Sequence, residues 1–525
     1  MEAFNVITDP WIPVIKKNET REVYGVRDVL KNAADIKHIT SPGNLPSEEY
    51  AIYRFLFALL TDAYEIRSDE DIEEIYKSGE FDLDAFDEYV KRCGDVFNVF
   101  DEEHPFMQCG VKKALDYGAK PTSAAVLNWA QLSGNTETFF GLKNYPASKT
   151  YEESQYLSVA EYIALIINVT FMQSAITSGF PTAVCDNQPP LWFMFNGVTL
   201  FDTLCLNLYP TEDDDEPMWR RTDFLWYPED EPEGWLSLAF LPSRIVAPCS
   251  EGIKNGKVYQ ILYNGSFYRG NSPLKNHPEP KSFYGYWKSR EPYIILRHYD
   301  PSKVKNGQRA VEAWRGPDGM AWMQMAEFYG VKLDTVTTVR PKVMQMYESF
   351  SDKEKGTIKM LPYKPTQSFY HFELPTQQTK AAQEVFRDFA ITEDWMYEDD
   401  KLKLINRYTS FTRSAMKALR QSLSRLLYPS GDEKKDYDAV KEIVNGWADR
   451  CAQYMYASLL PGLQSLKREN EELYYENAAI TVIEFTEATM NSVMVRDIFT
   501  KINESNRLIG ILRNELKKEV VNEEG

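Results

Sequence analysis

The residues after about position 401 contain few glycines and repeat apolar side chains at helical spacing, and this feature constrains the fold more than any other. Four such amphipathic segments follow one another with short connections. The Pro-Ser-Gly sequence at 429–431 ends the first segment, and Pro461 is expected to end or kink the second because proline lacks a backbone donor. Four antiparallel helices joined by short loops make a four-helix bundle, which we place at 394–525. The predicted helices are 402–428, 437–465, 471–493 and 498–519.

The first part of the chain, at 1–393, has a different character. Glycine and proline punctuate it throughout, and short strand-like runs alternate with helical ones. The sequence SEEY at 47–50 before an apolar run is typical of a helix start. The expected fold class is therefore α+β, with a large irregular mixed α/β N-terminal domain followed by a C-terminal four-helix bundle. Strands are predicted at 5–8, 191–195 and 293–297, and helices at 47–61 and 158–169.

Composition indicates a folded protein of the cytoplasm. The chain has 525 residues, of which 43% are apolar, enough for the cores of two or more domains. No apolar run approaches the ~18 residues of a membrane span, and the N-terminus carries no basic-then-apolar secretion signal. The six cysteines are scattered without a CxxC pair, which fits reduced thiols. We therefore expect a cytoplasmic location, no membrane partner and no zinc.

The net charge of −19 argues against an indiscriminate nucleic-acid binder, but the charge is distributed unevenly. Segment 252–310 contains eleven basic and three acidic residues, a net charge of +8, and ten aromatic residues are interleaved with them. Cations neutralise phosphate and aromatic rings stack on bases, so this pattern suits a nucleic-acid groove. Aromatic residues are also favoured in strands, and a tyrosine-rich sheet with a solvated lysine face fits the same pattern.

A second basic element lies in the first predicted bundle helix. From 401 to 425 there are seven basic residues and no acidic one. Arg413, Lys417 and Arg420 are spaced i, i+4 and i+7, so they share one helix face, where like charges repel by about 0.2–0.5 kcal/mol per pair. A helix with such a stripe is expected to lie next to anionic groups, and the phosphates of a nucleic-acid backbone are suited to this. A solvated face, or ion pairs within the bundle, is the alternative.

Sequence signals of catalysis are weak. The five histidines lie outside HExxH and paired HD arrangements, and no GK[ST] phosphate loop occurs. We expect no catalytic residue, no metal and no cofactor. With 78 acidic residues, a carboxylate metal site hidden in the fold stays an alternative, and it would make the chain a nucleic-acid-processing enzyme.

Short motifs spread along the chain resemble a known family. The sequence FNVITDPWIPV at 4–14 is followed by HPFMQ at 104–108. The pieces LCLNL at 204–208, GWL at 234–236 and ADR at 448–450 come next, in the family's order. As an ordered set, these motifs resemble the large subunit (CasA) of the type I-E CRISPR Cascade surveillance complex. The resemblance covers most of the chain in short pieces.

The resemblance implies a non-catalytic subunit of an RNA-guided DNA-recognition complex. Such subunits read a short protospacer-adjacent motif (PAM) in duplex DNA, mainly from the minor groove, and help to open the duplex, while pairing with the guide RNA (crRNA) reads the remaining sequence. The implied partners are the crRNA and other Cascade subunits, double-stranded target DNA, and a nuclease-helicase recruited for degradation. The bundle would help to hold the displaced strand. A scaffold that binds only protein or guide RNA is a further alternative.

Several family elements can be carried over to this sequence. A loop near the guide 5′ end maps to 132–140, although its two adjacent aromatic residues are also typical of a core. The family's glycine-rich loop maps to 174–186, where only one glycine remains to allow close approach to the minor groove. The minor-groove lysine maps next to Arg269, and arginine favours narrow minor grooves. The duplex-opening wedge maps to 332–334, which lacks the family's glutamine, so Leu333 would be an apolar wedge.

The resulting candidate residues fall into three groups. The PAM and duplex group is Gly179, Arg269, Lys332, Leu333 and Asp334. The group near the guide 5′ end and the PAM-proximal DNA is Asn135, Thr138, Phe139 and Phe140. The group for the non-target strand or nucleic-acid backbone is Arg413, Lys417 and Arg420.

Overall fold

The protein divides into two compact units in a computed structural model. The first unit comprises Met1–Arg297, Lys305–Arg315 and Arg340–Asp388, and the second comprises His298–Val304, Gly316–Val339 and Phe389–Gly525. The predicted boundary at residue 393 lies outside the described residues. The structure describes residues 3–43, 46–127, 156–171, 190–221, 234–240, 244–265, 290–299, 311–313, 336–353, 366–373, 383–389, 399–427, 440, 444, 446–448, 471–492 and 498–521.

Helices occur in both units and are numbered in chain order. Single 3-10 turns lie at Gly94–Phe97, Ala124–Leu127, Met218–Arg220 and Ser250–Gly252. The helices are α1 (Val26–Lys31), α2 (Pro46–Ala63), α3 (Asp69–Ser78), α4 (Leu83–Cys93), α5 (Val111–Asp116), α6 (Val159–Phe171), α7 (Leu200–Leu206), α8 (Leu236–Ala239), α9 (Lys342–Lys353), α10 (Asp399–Leu427), α11 (Glu471–Ser492) and α12 (Ile498–Val521).

The strands are short and form small sheets. They are β1 (Ile12–Lys16), β2 (Arg21–Tyr24), β3 (Ile36–Ile39), β4 (Lys120–Ser123), β5 (Leu157–Ser158), β6 (Trp192–Asn196), β7 (Ile245–Pro248), β8 (Ile253–Lys254), β9 (Lys257–Val258), β10 (Gln260–Asn264), β11 (Leu296–Tyr299), β12 (Val311–Ala313), β13 (Val336–Val339), β14 (Thr366–Glu373) and β15 (Gln383–Phe389). In the first unit the orders β2-β1-β3, β4-β10-β7, β5-β9-β8 and β15-β14-β6 each give a three-stranded sheet.

The predicted strand at 5–8 is wrong, because these residues form a turn. Asn5 Oδ1 accepts a hydrogen bond from Ile7 N at 2.8 Å, and Asp9 Oδ2 accepts one from Asn5 N at 2.7 Å. Such local side-chain bonds offer the backbone an alternative to a sheet ladder. The first strand of the chain begins only at Ile12.

The core of the first unit is built around α2 and α6. Tyr50, Phe55 and Phe57 of α2 are completely buried. Every described side chain from Tyr162 to Phe171 in α6 is buried as well, so this part of the helix is buried on all sides. A helix of this kind belongs inside a large core. The predicted helices at 47–61 and 158–169 are thus confirmed within two residues at each end.

The second unit contains a C-terminal helical bundle, and most of the predicted helix at 437–465 lies outside the described residues. Its α10, α11 and α12 pack against one another, and residues 440, 444 and 446–448 between α10 and α11 are helical. Along α10 the buried side chains include Phe411, Ala415, Leu419 and Leu426. They follow one another at intervals of four, four and seven residues, which places them on one face of the helix. The α+β fold class, with a C-terminal helical bundle after a mixed domain, is confirmed.

Candidate nucleic-acid interface

The N-terminal motif is a buried anchor. Trp11 is completely buried, and its Nε1 donates a hydrogen bond to Val6 O at 2.9 Å. Val6 N donates to Phe97 O at 3.0 Å, and Val99 N donates to Phe4 O at 2.8 Å. These bonds pin the first turn of the chain to the segment just before the HPFMQ motif.

The HPFMQ motif at 104–108 belongs to the same core. Phe106 is completely buried and meets Phe55 of α2 edge to face, with ring centroids 5.5 Å apart. Gln108 Nε2 donates to Val99 O at 2.9 Å, and Tyr162 OH of α6 donates to Gln108 Oε1 at 2.5 Å. The buried residues of both motifs therefore stabilise the fold.

Asn207, from the middle of the family resemblance, ties three pieces of chain together. It is fully buried at the end of α7. Its Oδ1 accepts from Phe195 N at 2.9 Å, and its Nδ2 donates to Phe195 O at 2.8 Å and to Thr203 O at 2.7 Å. Its carbonyl accepts from Tyr293 OH at 2.7 Å. Asn207 thereby fixes β6 against the later part of the basic–aromatic segment at 252–310.

Trp219 takes part in a buried polar network. Its Nε1 donates to Tyr89 OH at 2.8 Å, and Tyr89 OH donates to Asp62 Oδ2 at 2.6 Å. Arg220 Nη1 lies 2.7 Å from Asp62 Oδ1. Burial raises the pKa of Asp62 above its ordinary value, while the bonds from Tyr89 and Arg220 act in the opposite direction. The network stabilises the packing of α2 against α4 and the 3-10 turn that contains Trp219.

A buried ion pair holds the later end of the described basic–aromatic segment. Arg54 Nη1 and Nη2 of α2 donate to Glu291 Oε1 and Oε2 at 2.8 and 2.7 Å, and Arg54 Nε donates to Ala239 O at 3.1 Å. Burial alone would lower the pKa of Arg54, but the Glu291 carboxylate raises it. The guanidinium lies within 6 Å of five aromatic ring centroids. These rings are Phe171 at 5.2 Å, Trp192 at 5.1 Å, Trp235 at 5.9 Å, Phe240 at 5.9 Å and Tyr293 at 5.6 Å.

The earlier end of this segment is fixed by the sheet β4-β10-β7. Tyr263 OH accepts from Arg244 Nη1 at 2.8 Å, and Asn264 Nδ2 donates to Tyr117 O at 2.8 Å. Ile261 and Leu262 are buried, whereas Lys254 and Tyr259 are exposed. The described part of the segment thus forms a sheet that presents lysine and tyrosine side chains to solvent, as the alternative interpretation expects, and nucleic-acid binding by the segment stays a prediction.

Most residues carried over from the family fall outside the described residues. Arg269, from the PAM group, lies four positions after Gly265, the last described residue following β10. The placement of these carried-over residues therefore stays a prediction. The candidates outside the described part are Asn135, Thr138, Phe139, Phe140, Gly179, Arg269, Lys332, Leu333 and Asp334.

The basic stripe of α10 is described. Lys417 is exposed, and Arg413 and Arg420 are half-buried on the same helix. Two further arginines of α10 instead contact the neighbouring helices: Arg407 lies 4.3 Å from the ring centroid of Tyr475 in α11, and Arg425 Nε lies 3.2 Å from Glu504 Oε2 in α12. Arg413 and Arg420 are therefore partly covered at the bundle surface. Lys417 is the most accessible of the three cations in the stripe.

Metal-binding clusters and membrane-spanning helices are both absent from the part of the chain that the structure describes. No group of three or more His, Cys, Asp or Glu side chains is arranged there to hold a metal ion. No disulfide joins the described cysteines Cys93, Cys109, Cys205 and Cys249 to one another. None of the described helices has the length and apolar content needed to cross a membrane.

The chain shares its fold with solved structures of Cse1 proteins. The chain superposes on Cse1 of Acidimicrobium ferrooxidans with a TM-score of 0.68 at 15% identity, covering 98% of this chain and 99% of that one. For Thermobifida fusca Cse1 the TM-score is 0.67 at 16% identity, with 98% of both chains covered. A chain of a CRISPR RNA-guided surveillance complex gives 0.58 at 16% identity, covering 97% and 99%. At these identities the likeness establishes the shared fold.

The family follows from the sequence itself. The model of the family CRISPR-associated protein Cse1 matches residues 5–478, so the chain belongs to this family. The CRISPR-associated protein CasA/Cse1 of Thermus thermophilus is 31% identical over 224 residues. That alignment spans 42% of this chain and 42% of the relative, which is less than half of either protein. The predicted family resemblance is confirmed.

Sequence reasoning missed the buried pair of Arg54 and Glu291. These residues are 237 positions apart, so no local spacing connects them. One signal was present: an arginine at position 54 inside the apolar run of α2, since a buried charge must be paired.

Proposed function

We propose that the chain is the large, non-catalytic subunit of an RNA-guided type I-E Cascade complex. In this role it recognises the PAM in double-stranded DNA, helps to open the duplex for guide-RNA pairing, stabilises the displaced strand and helps to recruit the nuclease-helicase. The observation that carries the proposal is the match of the Cse1 family model over residues 5–478. The similarity of the whole fold to a chain of an RNA-guided surveillance complex supports it.

The partners in this proposal are the crRNA, the other Cascade subunits and the target duplex. The described part of the basic–aromatic segment supports a DNA role because side-chain bonds hold both of its described ends. Arg244 and Asn264 fix the earlier end, and the Arg54–Glu291 pair fixes the later one. A side chain that recognises DNA sequence needs such support, because recognition requires that the side chain be held in place.

Individual roles follow from the family elements. Arg269 would enter the minor groove of the PAM, flanked by Gly179, where a backbone without Cβ allows close approach. Leu333 would act as an apolar wedge between base pairs, with Lys332 and Asp334 beside it. Phe139 and Phe140, with Asn135 and Thr138, would contact the PAM-proximal DNA near the guide 5′ end. The stripe on α10 would neutralise phosphates of the displaced strand.

The test is equilibrium binding of the assembled complex to duplexes with and without a PAM, over a series of salt concentrations. Arg269→Ala is expected to weaken binding of the PAM duplex and to leave the PAM-lacking duplex almost unchanged. Arg92→Ala is the matched control, because Arg92 is 63% exposed in a surface ion pair with Glu65. Equal weakening of both duplexes by Arg269→Ala would make it a phosphate contact and refute its role as the minor-groove reader.

A further inference from the structure

A two-residue turn creates an exposed face on the small sheet β5-β9-β8. Asn255 and Gly256 connect β8 to β9, and both have positive φ, 52° and 69°. Two successive residues of this kind define the tight hairpin loop in which Asn-Gly is favoured. The turn places Lys254 directly opposite Lys257.

Strand alternation collects the polar and aromatic residues on one side of this sheet. Lys257 also faces Ser158 of β5, and Val258 faces Leu157. Val258 and Leu157 are buried, so their neighbours along each strand point the other way. Tyr156 and Tyr259, two positions from Ser158 and Lys257, share their side. We call the set Tyr156, Ser158, Lys254, Lys257 and Tyr259 the tyrosine–lysine face.

Three side chains of this face, Tyr156, Lys257 and Tyr259, contact one another, and Lys254 and Tyr259 are exposed. The rings of Tyr156 and Tyr259 have centroids 5.4 Å apart and are inclined by 49°. Lys257 Nζ lies 3.9 Å from the ring centroid of Tyr156. Tyr259 is 36% exposed and Lys254 is exposed. The face therefore offers the accessible ring of Tyr259 together with the accessible ammonium group of Lys254.

The two lysines form an unusual cross-strand pair. Like charges directly opposite each other on neighbouring strands destabilise a sheet, yet Lys254 and Lys257 occupy such positions. Among the described residues, no carboxylate forms an ion pair with Lys254. An anion can reach the exposed ammonium group of Lys254, and a flat group can stack on the accessible ring of Tyr259.

We propose that the tyrosine–lysine face binds a single-stranded stretch of nucleic acid, a site that deepens the proposed function and rests on it. A base would stack on Tyr259, and the phosphates beside it would contact Lys254 and Lys257. Aromatic stacking combined with backbone cations is how proteins bind single strands without reading sequence. A duplex suits the face less well, because its bases are already stacked on one another and offer only their edges.

The first measurement is the affinity of the full-length chain for fluorescein-labelled dT20 and rU20, determined by anisotropy. Tyr259→Leu keeps apolar bulk and removes the ring, so binding is expected to weaken about fivefold or more. Lys254→Gln is expected to reduce the slope of log affinity against log salt by about 0.7. Tyr24→Leu and Lys37→Gln, on another sheet, are the matched controls and should leave both values unchanged.

A second measurement locates the contact directly. Photo-crosslinking of the same strands carrying 5-iodouridine is expected to label Tyr156 or Tyr259. Unchanged affinity in Tyr259→Leu with labels elsewhere on the chain would overturn the site. A stronger effect on dT20 than on rU20 would identify the bound strand as DNA, and the reverse would identify it as RNA; both results support the site.

The two proposals fail in different ways. If the assembled complex binds PAM duplexes selectively and Tyr259→Leu leaves dT20 and rU20 binding unchanged, the face is not a site and the proposed function stands. If Tyr259→Leu weakens single-strand binding while the complex shows no PAM preference, the face is a site and the PAM-reading function is refuted. Thermal unfolding at the same temperature as the parent protein would establish that each variant is folded.

Discussion

Arg54 and Glu291 lie 237 positions apart and form a fully buried two-point ion pair, with nitrogen–oxygen distances of 2.8 and 2.7 Å. Their side chains are 0% and 1% exposed. Taking two charges out of water is costly, so the pair is favourable only while both partners and their hydrogen bonds are present. The pair fixes the later described end of the basic–aromatic segment to α2, the central helix of the first unit.

Glu291→Gln is expected to lower the free energy of unfolding by about 3–5 kcal/mol, because it leaves the Arg54 charge buried without its counterion. Urea denaturation of the full chain measures this change. Glu65→Gln is the control: its partner Arg92 and Glu65 itself are both 63% exposed, and exposed pairs contribute only about 0–1 kcal/mol. A change below about 1 kcal/mol in Glu291→Gln would contradict the assigned role of the pair.

Trp11→Ala is expected to destabilise the protein by about 3–5 kcal/mol, since it opens a cavity in the core and removes the bond to Val6 O. Val23→Ala serves as the control because Val23 is 50% exposed. Thermal and urea unfolding give the change, and assembly with the other subunits is measured in parallel. Unchanged stability with lost assembly would place Trp11 at an interface and refute its role as an anchor.

The hydrogen bonds at the start of α3 predict that the stability of the fold depends on pH. Asp71 Oδ2 accepts from Arg67 N at 2.9 Å and from Ser68 N at 2.8 Å, and the first of these bonds is the main cause that lowers the pKa of Asp71. Because the folded pKa lies below the unfolded value near 3.8, the charged form stabilises the fold above that pH. This stabilisation is lost as the pH falls through the folded pKa.

Asp71→Asn is therefore expected to cost about 1 kcal/mol at pH 7, and the difference from the parent protein should shrink as the pH falls below about 4. Urea unfolding at several pH values measures the difference. Glu70→Gln, an exposed change in the same helical turn, is the control and should show no such trend. A pH-independent difference for Asp71→Asn would rule out a role for the Asp71 charge.

The stripe on α10 is tested by changing Arg413, Lys417 and Arg420 together to glutamine. A stripe on a helix neutralises phosphate without reading bases, so affinity should fall about equally for every DNA sequence. The salt slope should decrease by about 0.7–0.9 for each phosphate that is no longer neutralised. Binding of the assembled complex across a salt series measures both quantities.

The matched control for the stripe replaces three cations of α12 by glutamine, namely Lys501, Arg507 and Arg513. This variant has the same net charge as the stripe variant. If the two variants behave alike, only overall charge matters. If the stripe variant leaves affinity and slope unchanged, the stripe is a solvated face or a protein-docking surface.

The helices were predictable because their signal is local. The bounds of the predicted segments 471–493 and 498–519 lie within two residues of those of α11 and α12, since helix-forming composition is a local signal and segment 471–493 contains neither glycine nor proline. The turn at 5–8 was missed because Asn5 and Asp9 side chains compete with the sheet for backbone donors.

The site was less predictable than the fold. The helical spacing of Arg413, Lys417 and Arg420 placed them on one face of a helix that the structure contains. The tyrosine–lysine face required strand pairing between Leu157–Ser158 and Lys257–Val258, which are far apart in sequence. Such long-range register does not follow from composition, and Lys257 and Tyr156 meet only because of it.

The most direct test of the central claim is to assemble the complex from crRNA and the other subunits, with and without this chain, and to measure binding to matched duplexes. We predict selective binding of the PAM-containing duplex only when the chain is present, and no preference when it is omitted. A complex that prefers the PAM duplex equally well without this chain, or that shows no preference with it, would contradict its role as the PAM-reading subunit.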